Sequence, residues 1–166
     1  MEKKNFITIL GLGNILLSDE GFGVHFIRWF SERYRLPDTV EAIDGGTLGY
    51  SLLDPIGNCK HLIVVDVIKL QDTPGSLYRF TREALELHMP PPTSAHEVVF
   101  LDVIYKAELI EEAPEDVIFL CIVPEEYGDT CLEMTETMWK KFPDMEEMLL
   151  KELSLHGIVP ERIGHA

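Results

Sequence analysis

The stretch from Ile9 to Gly23 constrains this chain more than any other. An apolar run ends in Gly11-Leu12-Gly13-Asn14 and leads, through Ile15-Leu16-Leu17, to Ser18-Asp19-Glu20-Gly21-Phe22-Gly23. That order reads as the end of a buried strand, a tight turn and the start of a helix. Gly11 and Gly13 permit a reversal with uncovered backbone, because glycine tolerates positive φ and carries no side chain. Ser18 is placed to cap the helix, and Asp19 and Glu20 fall in its first turn, where the dipole favours negative charge. A dinucleotide-binding turn does not fit. Leu16 stands where the third small residue of that fingerprint belongs, and the insert from Asn14 to Leu17 delays the helix. Two acids at a helix start would also repel a phosphate. They suit a cation.

The remaining segments continue the alternation of strand and helix. Residues 5–12 carry Phe6, Ile7, Ile9 and Leu10, as a strand covered on both faces should. A helix is expected over 19–35, with Glu20, Val24, Ile27, Ser31 and Tyr34 on one stripe, beside Gly23 and Phe30. Residues 39–44 read as a second strand ending at Gly45-Gly46, followed by a helix over 47–57 with Thr47 as its cap. Residues 61–67 form the most apolar strand. Asp72-Thr73-Pro74-Gly75 is turn chemistry, and residues 76–80 alternate like an edge strand. After Met89-Pro90-Pro91-Pro92, the pair Ser94 and Glu97 reads as a capping box that puts His96 in the first turn of a helix to about residue 110. Residues 116–123 are another buried strand, stopped by Pro124, and a last helix is expected over 134–156, kinked at Pro143. The expected fold is α/β, a three-layer α/β/α sandwich on a mostly parallel twisted sheet with an antiparallel edge strand. Residues 1–166 are expected to form one domain.

Charge narrows the partners. The chain carries 29 acids against 14 Lys and Arg, a formal charge of −15, which argues against nucleic acid and anionic membranes, whose binding needs basic contacts. No apolar run approaches the ~20 residues of a membrane helix, and the first residues lack a signal-peptide pattern, so a cytoplasmic location is expected. Cys59, Cys121 and Cys131 show no CxxC spacing, so neither a disulfide framework nor a thiolate zinc site is indicated.

In sheets of this kind, ligands gather beyond the carboxyl ends of the strands. Glu20 follows the first strand, Asp44 ends the second, Asp66 ends the third and His96 starts a helix. Acids packed together raise one another's pKa unless a metal or proton neutralises them, and an imidazole at a helix start is favoured in the neutral form that metals bind. A set of nitrogen and oxygen donors without sulfur suits zinc, nickel, iron or manganese, and three such ligands leave positions open. Each acid also has a plainer reading: Asp19 and Glu20 as dipole partners, Asp44 as a turn residue. Asp66, flanked by Val64, Val65 and Val67, needs a partner to offset desolvation. His25, His61, His88 and His156 lack this positional logic.

Five of these segments together resemble the hydrogenase maturation proteases: Gly11-Leu12-Gly13-Asn14-Ile15-Leu16 with Asp19-Glu20-Gly21-Phe22-Gly23, Asp44-Gly45-Gly46-Thr47, Val64-Val65-Asp66, Ser94-Ala95-His96 and Val123-Pro124-Glu125. The resemblance implies an endopeptidase that removes a C-terminal extension from the large-subunit precursor of a nickel–iron hydrogenase, after the metal centre is inserted. It implies metal binding by Glu20, Asp66 and His96, which are then also the expected catalytic residues; Asp44, which ends the strand beside the first, is expected to line the substrate cleft without being an obligatory ligand. Many relatives have Asp where this chain has Glu20, and some have Pro where it has Ala95. The implied metal is nickel, contributed by or shared with the precursor, with zinc or cadmium able to substitute. Two other readings are a non-enzymatic nickel-binding assembly factor and an enzyme like the peptidyl-tRNA hydrolases. Acidic charge and the run Ile15-Leu16-Leu17-Ser18-Asp19 both disfavour the latter.

Overall fold

Strand β1 (Asn5–Leu12) is buried along nearly all its length, as its run of Ile7, Ile9 and Leu10 requires. The computed structural model describes residues 2–46, 49–88 and 95–164, and its description of side chains leaves out those at 49, 88, 95–100 and 103. After β1 come a 3-10 turn over Ser18–Gly21 and helix α1 (Phe22–Arg33). The short strand β2 (Tyr34–Arg35), strand β3 (Val40–Gly46), a second 3-10 turn (Gly49–Leu52) and helix α2 (Leu53–Gly57) lead to strand β4 (Cys59–Val67). Then follow β5 (Leu77–Thr81), α3 (Arg82–His88), α4 (Ala95–Leu109) and β6 (Asp116–Ile122). Helices α5 (Glu136–Lys140) and α6 (Phe142–Leu155) and the two-residue strand β7 (Glu161–Arg162) complete the order.

The main sheet runs β3-β1-β4-β6-β5. Its first four strands are parallel, and β5 lies antiparallel on the edge against β6. Alternation along the strands feeds two separate cores. Ile7, Ile9, Ile63, Val65, Ile118 and Leu120 pack with α1, α5 and α6, through Phe22, Phe26, Phe30, Met138, Phe142 and Leu149. Leu10, Leu62, Val64, Val117 and Phe119 pack on the other face with Ile56, Leu85, Ile104 and Ala107 of α2, α3 and α4. The expected sandwich with its mostly parallel sheet and antiparallel edge strand is therefore what forms.

This strand order has a functional consequence. The connection from β1 leaves toward β3 over the α1 face, whereas the chain after β4 moves the other way, toward β6 and β5, over the α4 face. Loops that diverge at neighbouring strands open a crevice beyond their carboxyl ends. Here the crevice lies between the ends of β1 and β4.

Four local expectations are corrected. Ser18 does not cap a helix: it adopts a positive φ of 51°, and its hydroxyl donates to the Glu133 carbonyl at 3.0 Å. Ser31 is exposed and Tyr34 has left the helix for β2, so the buried stripe of α1 is Phe22, Val24, Phe26, Ile27 and Phe30. The last helix is two helices. Lys141 both ends α5 and starts α6, and Pro143, which cannot continue a helix but suits its first turn, follows at once. Helix α3 and the antiparallel pair β2–β7 were not expected; both are too short for a periodic pattern to develop. The caps assigned to Thr47 and Ser94 lie outside the described residues.

Candidate active site

Glycines set the position of the site. A Cβ on Gly23 would stand 2.2 Å from the Val65 carbonyl oxygen and 2.3 Å from that of Leu12, so only glycine lets the start of α1 rest on the ends of β4 and β1. Gly13, at φ +134°, has the Glu20 carbonyl oxygen where its Cβ would be, 1.8 Å away. Both contacts press the 3-10 turn onto the strand ends. Glu20, in that turn, is buried, with 2% of its surface exposed.

Asp66 is the penultimate residue of β4 and half-buried. Its Oδ1 accepts the Val67 amide at 2.7 Å. By alternation with Leu62 and Val64 its side chain belongs to the α4 face of the sheet, and β6 pairs Cys121 with it in register. Burial first, and the Asp66 charge second, push the Cys121 thiol well above its ordinary pKa. Burial likewise raises the Cys59 thiol. Neither is available as a thiolate nucleophile. The backbone of His96 is the second residue of α4; its side chain, and with it the third expected ligand, lies outside the described residues.

Asp44 sits apart from these. Val40 and Ala42 of β3 pack into the α1 core, which puts Asp44 on the α1 face. There Arg28 of α1 donates to Asp44 Oδ2 from Nε at 2.9 Å and Nη2 at 2.6 Å. The pair borders a cleft of about 300 Å³ lined also by Gly13, Asn14, Ile15 and Leu16. The loop wall of this cleft is well braced. Asn14 Oδ1 accepts the Leu16 amide at 3.0 Å, the Gly13 amide donates to the Gly46 carbonyl at 3.2 Å, and the Ser18 amide donates to the Cys131 carbonyl at 2.7 Å.

Residues 24–152 match the family model described as hydrogenase maturation protease. The hydrogenase 2 maturation protease of Escherichia coli K12 is 32% identical over 95% of this chain and 98% of its own length. This chain belongs to the hydrogenase maturation protease family. The hydrogenase expression/formation protein HupD of Bradyrhizobium diazoefficiens is 36% identical over 95% of this chain and 83% of its own length. Among solved structures, the hydrogenase-maturating endopeptidase HybD from E. coli superposes with a TM-score of 0.89 at 31% identity, covering 95% of this chain and 97% of that one. Maturation proteases of this kind are peptidases, and so is this chain.

One residue of this maturation protease does more than its sequence position suggests. Asp19, read as a dipole partner, is fully buried and holds three segments together. Its Oδ2 accepts the amides of Glu125 at 3.0 Å and Glu126 at 2.8 Å, just after β6. Its Oδ1 accepts the Thr135 amide at 2.8 Å and the Thr135 hydroxyl at 3.0 Å, before α5. The Val123-Pro124-Glu125 segment is thereby tied to the turn that carries Glu20. The sequence carries no signal for it, since all four donors are backbone or hydroxyl groups of residues 106 to 116 positions away.

Proposed function

We propose that this protease removes the C-terminal extension of the large-subunit precursor of a nickel–iron hydrogenase, in the cytoplasm, after nickel has been inserted. The observation that carries the reading is Asp66 at the end of β4 beside the turn that carries Glu20, which the glycine contacts press onto the ends of β1 and β4, where the two connections diverge. Two carboxylates at a recessed rim are hard oxygen donors that fit a divalent ion, and His96, at the start of α4, would add the nitrogen. Nickel enters as part of the substrate. Glu20, Asp66 and His96 grip the metal centre of the precursor, and zinc or cadmium can stand in for it.

Each group then has a task. The side chain of Glu20, buried in its 3-10 turn, is pre-positioned and loses little freedom on binding. Asp44 and the loop Gly13–Leu16 receive the extended tail next to the anchored metal centre, with backbone groups and the Arg28–Asp44 pair lining its path. A bound divalent ion supplies Lewis acidity for a carbonyl or a water. A carboxylate at the rim can take up the proton of the attacking water. The alternative, a nickel-binding assembly factor that cuts nothing, uses the same ligands and separates only by assay. Incubation with a nickel-loaded precursor, followed by mass spectrometry of its C-terminus, should show a discrete loss of the extension. That loss should vanish with Glu20→Gln or Asp66→Asn. An intact precursor after incubation with folded protease would refute the proposal.

A further inference from the structure

A second group of metal-ligating side chains lies at the opposite edge of the sheet. The register of β4 on β6 pairs His61 with Asp116, and His61 Nδ1 meets Asp116 Oδ1. His156, which ends α6, brings its ring to 4.3 Å from that of His61, centroid to centroid, with the planes 39° apart. Phe6 meets both imidazoles edge-on, at 5.0 and 6.0 Å. One donor atom from each of the three residues lies within 4.8 Å of the other two. All three are half-buried, and only 14% of the His61 side chain is exposed.

We infer that His61, Asp116 and His156 form a cation site for one divalent ion of the zinc class, separate from the Glu20–Asp66 rim. Two imidazoles and a carboxylate are an accepted zinc donor set, with bonds of ~2.0–2.2 Å and a fourth position left for water. Donors on one such ion stand roughly 3.3–3.5 Å apart, so the site closes by side-chain rotation without movement of strands. A hydrogen bond between His61 and Asp116 alone leaves the facing His156 ring unexplained. Two imidazoles at this distance repel when both are protonated, whereas in neutral form they are the ligands a metal takes. The carbonyl end of α6 adds negative potential beside the site. The nearby Lys60 meets Glu115 at 3.8 Å and lies 5.8 Å from the Phe6 ring centroid. His61 precedes Asp66 by five positions on β4, about 16 Å at ~3.3 Å per residue, so one ion cannot serve both places. Bound there, an ion would clip the end of α6 to the sheet.

Equilibrium dialysis of the full chain against zinc, with thermal melts on the same samples, tests this. The native chain is compared with His156→Ala, Asp116→Asn and the double variant Glu20→Gln/Asp66→Asn. His156 lies at a helix end and Asp116→Asn keeps its shape, so circular dichroism should report folded protein for both. The expected result is one zinc fewer per chain in each of these two variants, or at least ~10-fold weaker retention of it. The Glu20/Asp66 double variant should keep that zinc. Zinc should raise the melting midpoint of the native chain and the double variant, and raise that of His156→Ala by less than that of the native chain, through the Glu20–Asp66 rim alone. Equal zinc binding and equal midpoint shifts in the native chain, His156→Ala and Asp116→Asn would overturn the proposal. Loss of all zinc in the double variant alone would overturn it too.

Discussion

At the scale of single residues, burial sorts the acids near the glycine turn by task. Asp19 is a structural carboxylate whose four accepted hydrogen bonds leave no lone pair idle. Asp19→Ala strands amide donors in a partly closed interface and should cost about 2–4 kcal/mol, read from urea denaturation midpoints. Asp44 is different, because its pair with Arg28 is open to solvent, at 36% and 52% exposure. Exposed ion pairs contribute roughly 0–1 kcal/mol, so Asp44→Asn should leave stability nearly unchanged. Precursor processing should nevertheless fall, with metal affinity retained. Loss of processing and metal binding together would place Asp44 among the ligands. His25 offers a pH test. Its Nε2 is buried without a hydrogen-bond partner, and burial first, then Arg28, lower its pKa from 6.5, against a smaller opposing effect of Asp44. A lowered folded pKa means the unfolded chain binds the proton more readily, so the contribution is present above about 6.5 and lost as pH falls through the folded value. Urea midpoints at about pH 5 and about pH 7.5 should differ less in His25→Gln than in the native chain. Legible in the sequence are only Asp44 and Asp66 near strand ends and Glu20 in the turn that follows β1. The partners of Asp19 and the His61–Asp116 pairing arise from strand register and loop closure, which no local pattern encodes.

At the scale of elements, the legible part was periodicity and the illegible part was ends. Buried parallel strands announce themselves through β-branched and aliphatic runs, so β1, β3, β4 and β6 were found within one or two residues. Where a helix started or broke depended on contacts made elsewhere. Ser18 looks like a cap, yet the segment Cys131–Glu133 claims both its amide and its hydroxyl. The glycines of the first turn offer conformational freedom, and Gly13 does use a positive φ. Gly23 is needed for another reason, the close approach of α1 to the ends of β1 and β4. Gly23→Ala must drive that helix away from backbone carbonyls that cannot yield. It should destabilise by ~3 kcal/mol or more and weaken processing out of proportion, since Glu20 rides on the same turn. Denaturation midpoints and initial cleavage rates on the same preparation measure both effects. A neutral Gly23→Ala would show that the turn is less tightly seated than its geometry indicates.

For the molecule as a whole, strand order and charge act on the same edge. Parallel strands deliver their carboxyl ends to one rim, and the reversal of winding at β1 and β4 opens that rim between the ends of these two strands. A net charge of −15 favours a cationic partner surface, with steering that weakens as salt screens it. Among the described residues, no helix is long and apolar enough to cross a membrane. The central claim is that recognition runs through nickel already held by the precursor. On that proposal, anchoring the centre at the rim would hold the adjoining tail in the cleft, and positioning of this kind can lower a barrier by ~7–11 kcal/mol. The direct measurement is mass spectrometry of the C-terminus of one precursor prepared with and without nickel, incubated with the same protease and no added metal. The account predicts that the extension is lost only from the nickel-loaded precursor. Equal cleavage of both forms would contradict it.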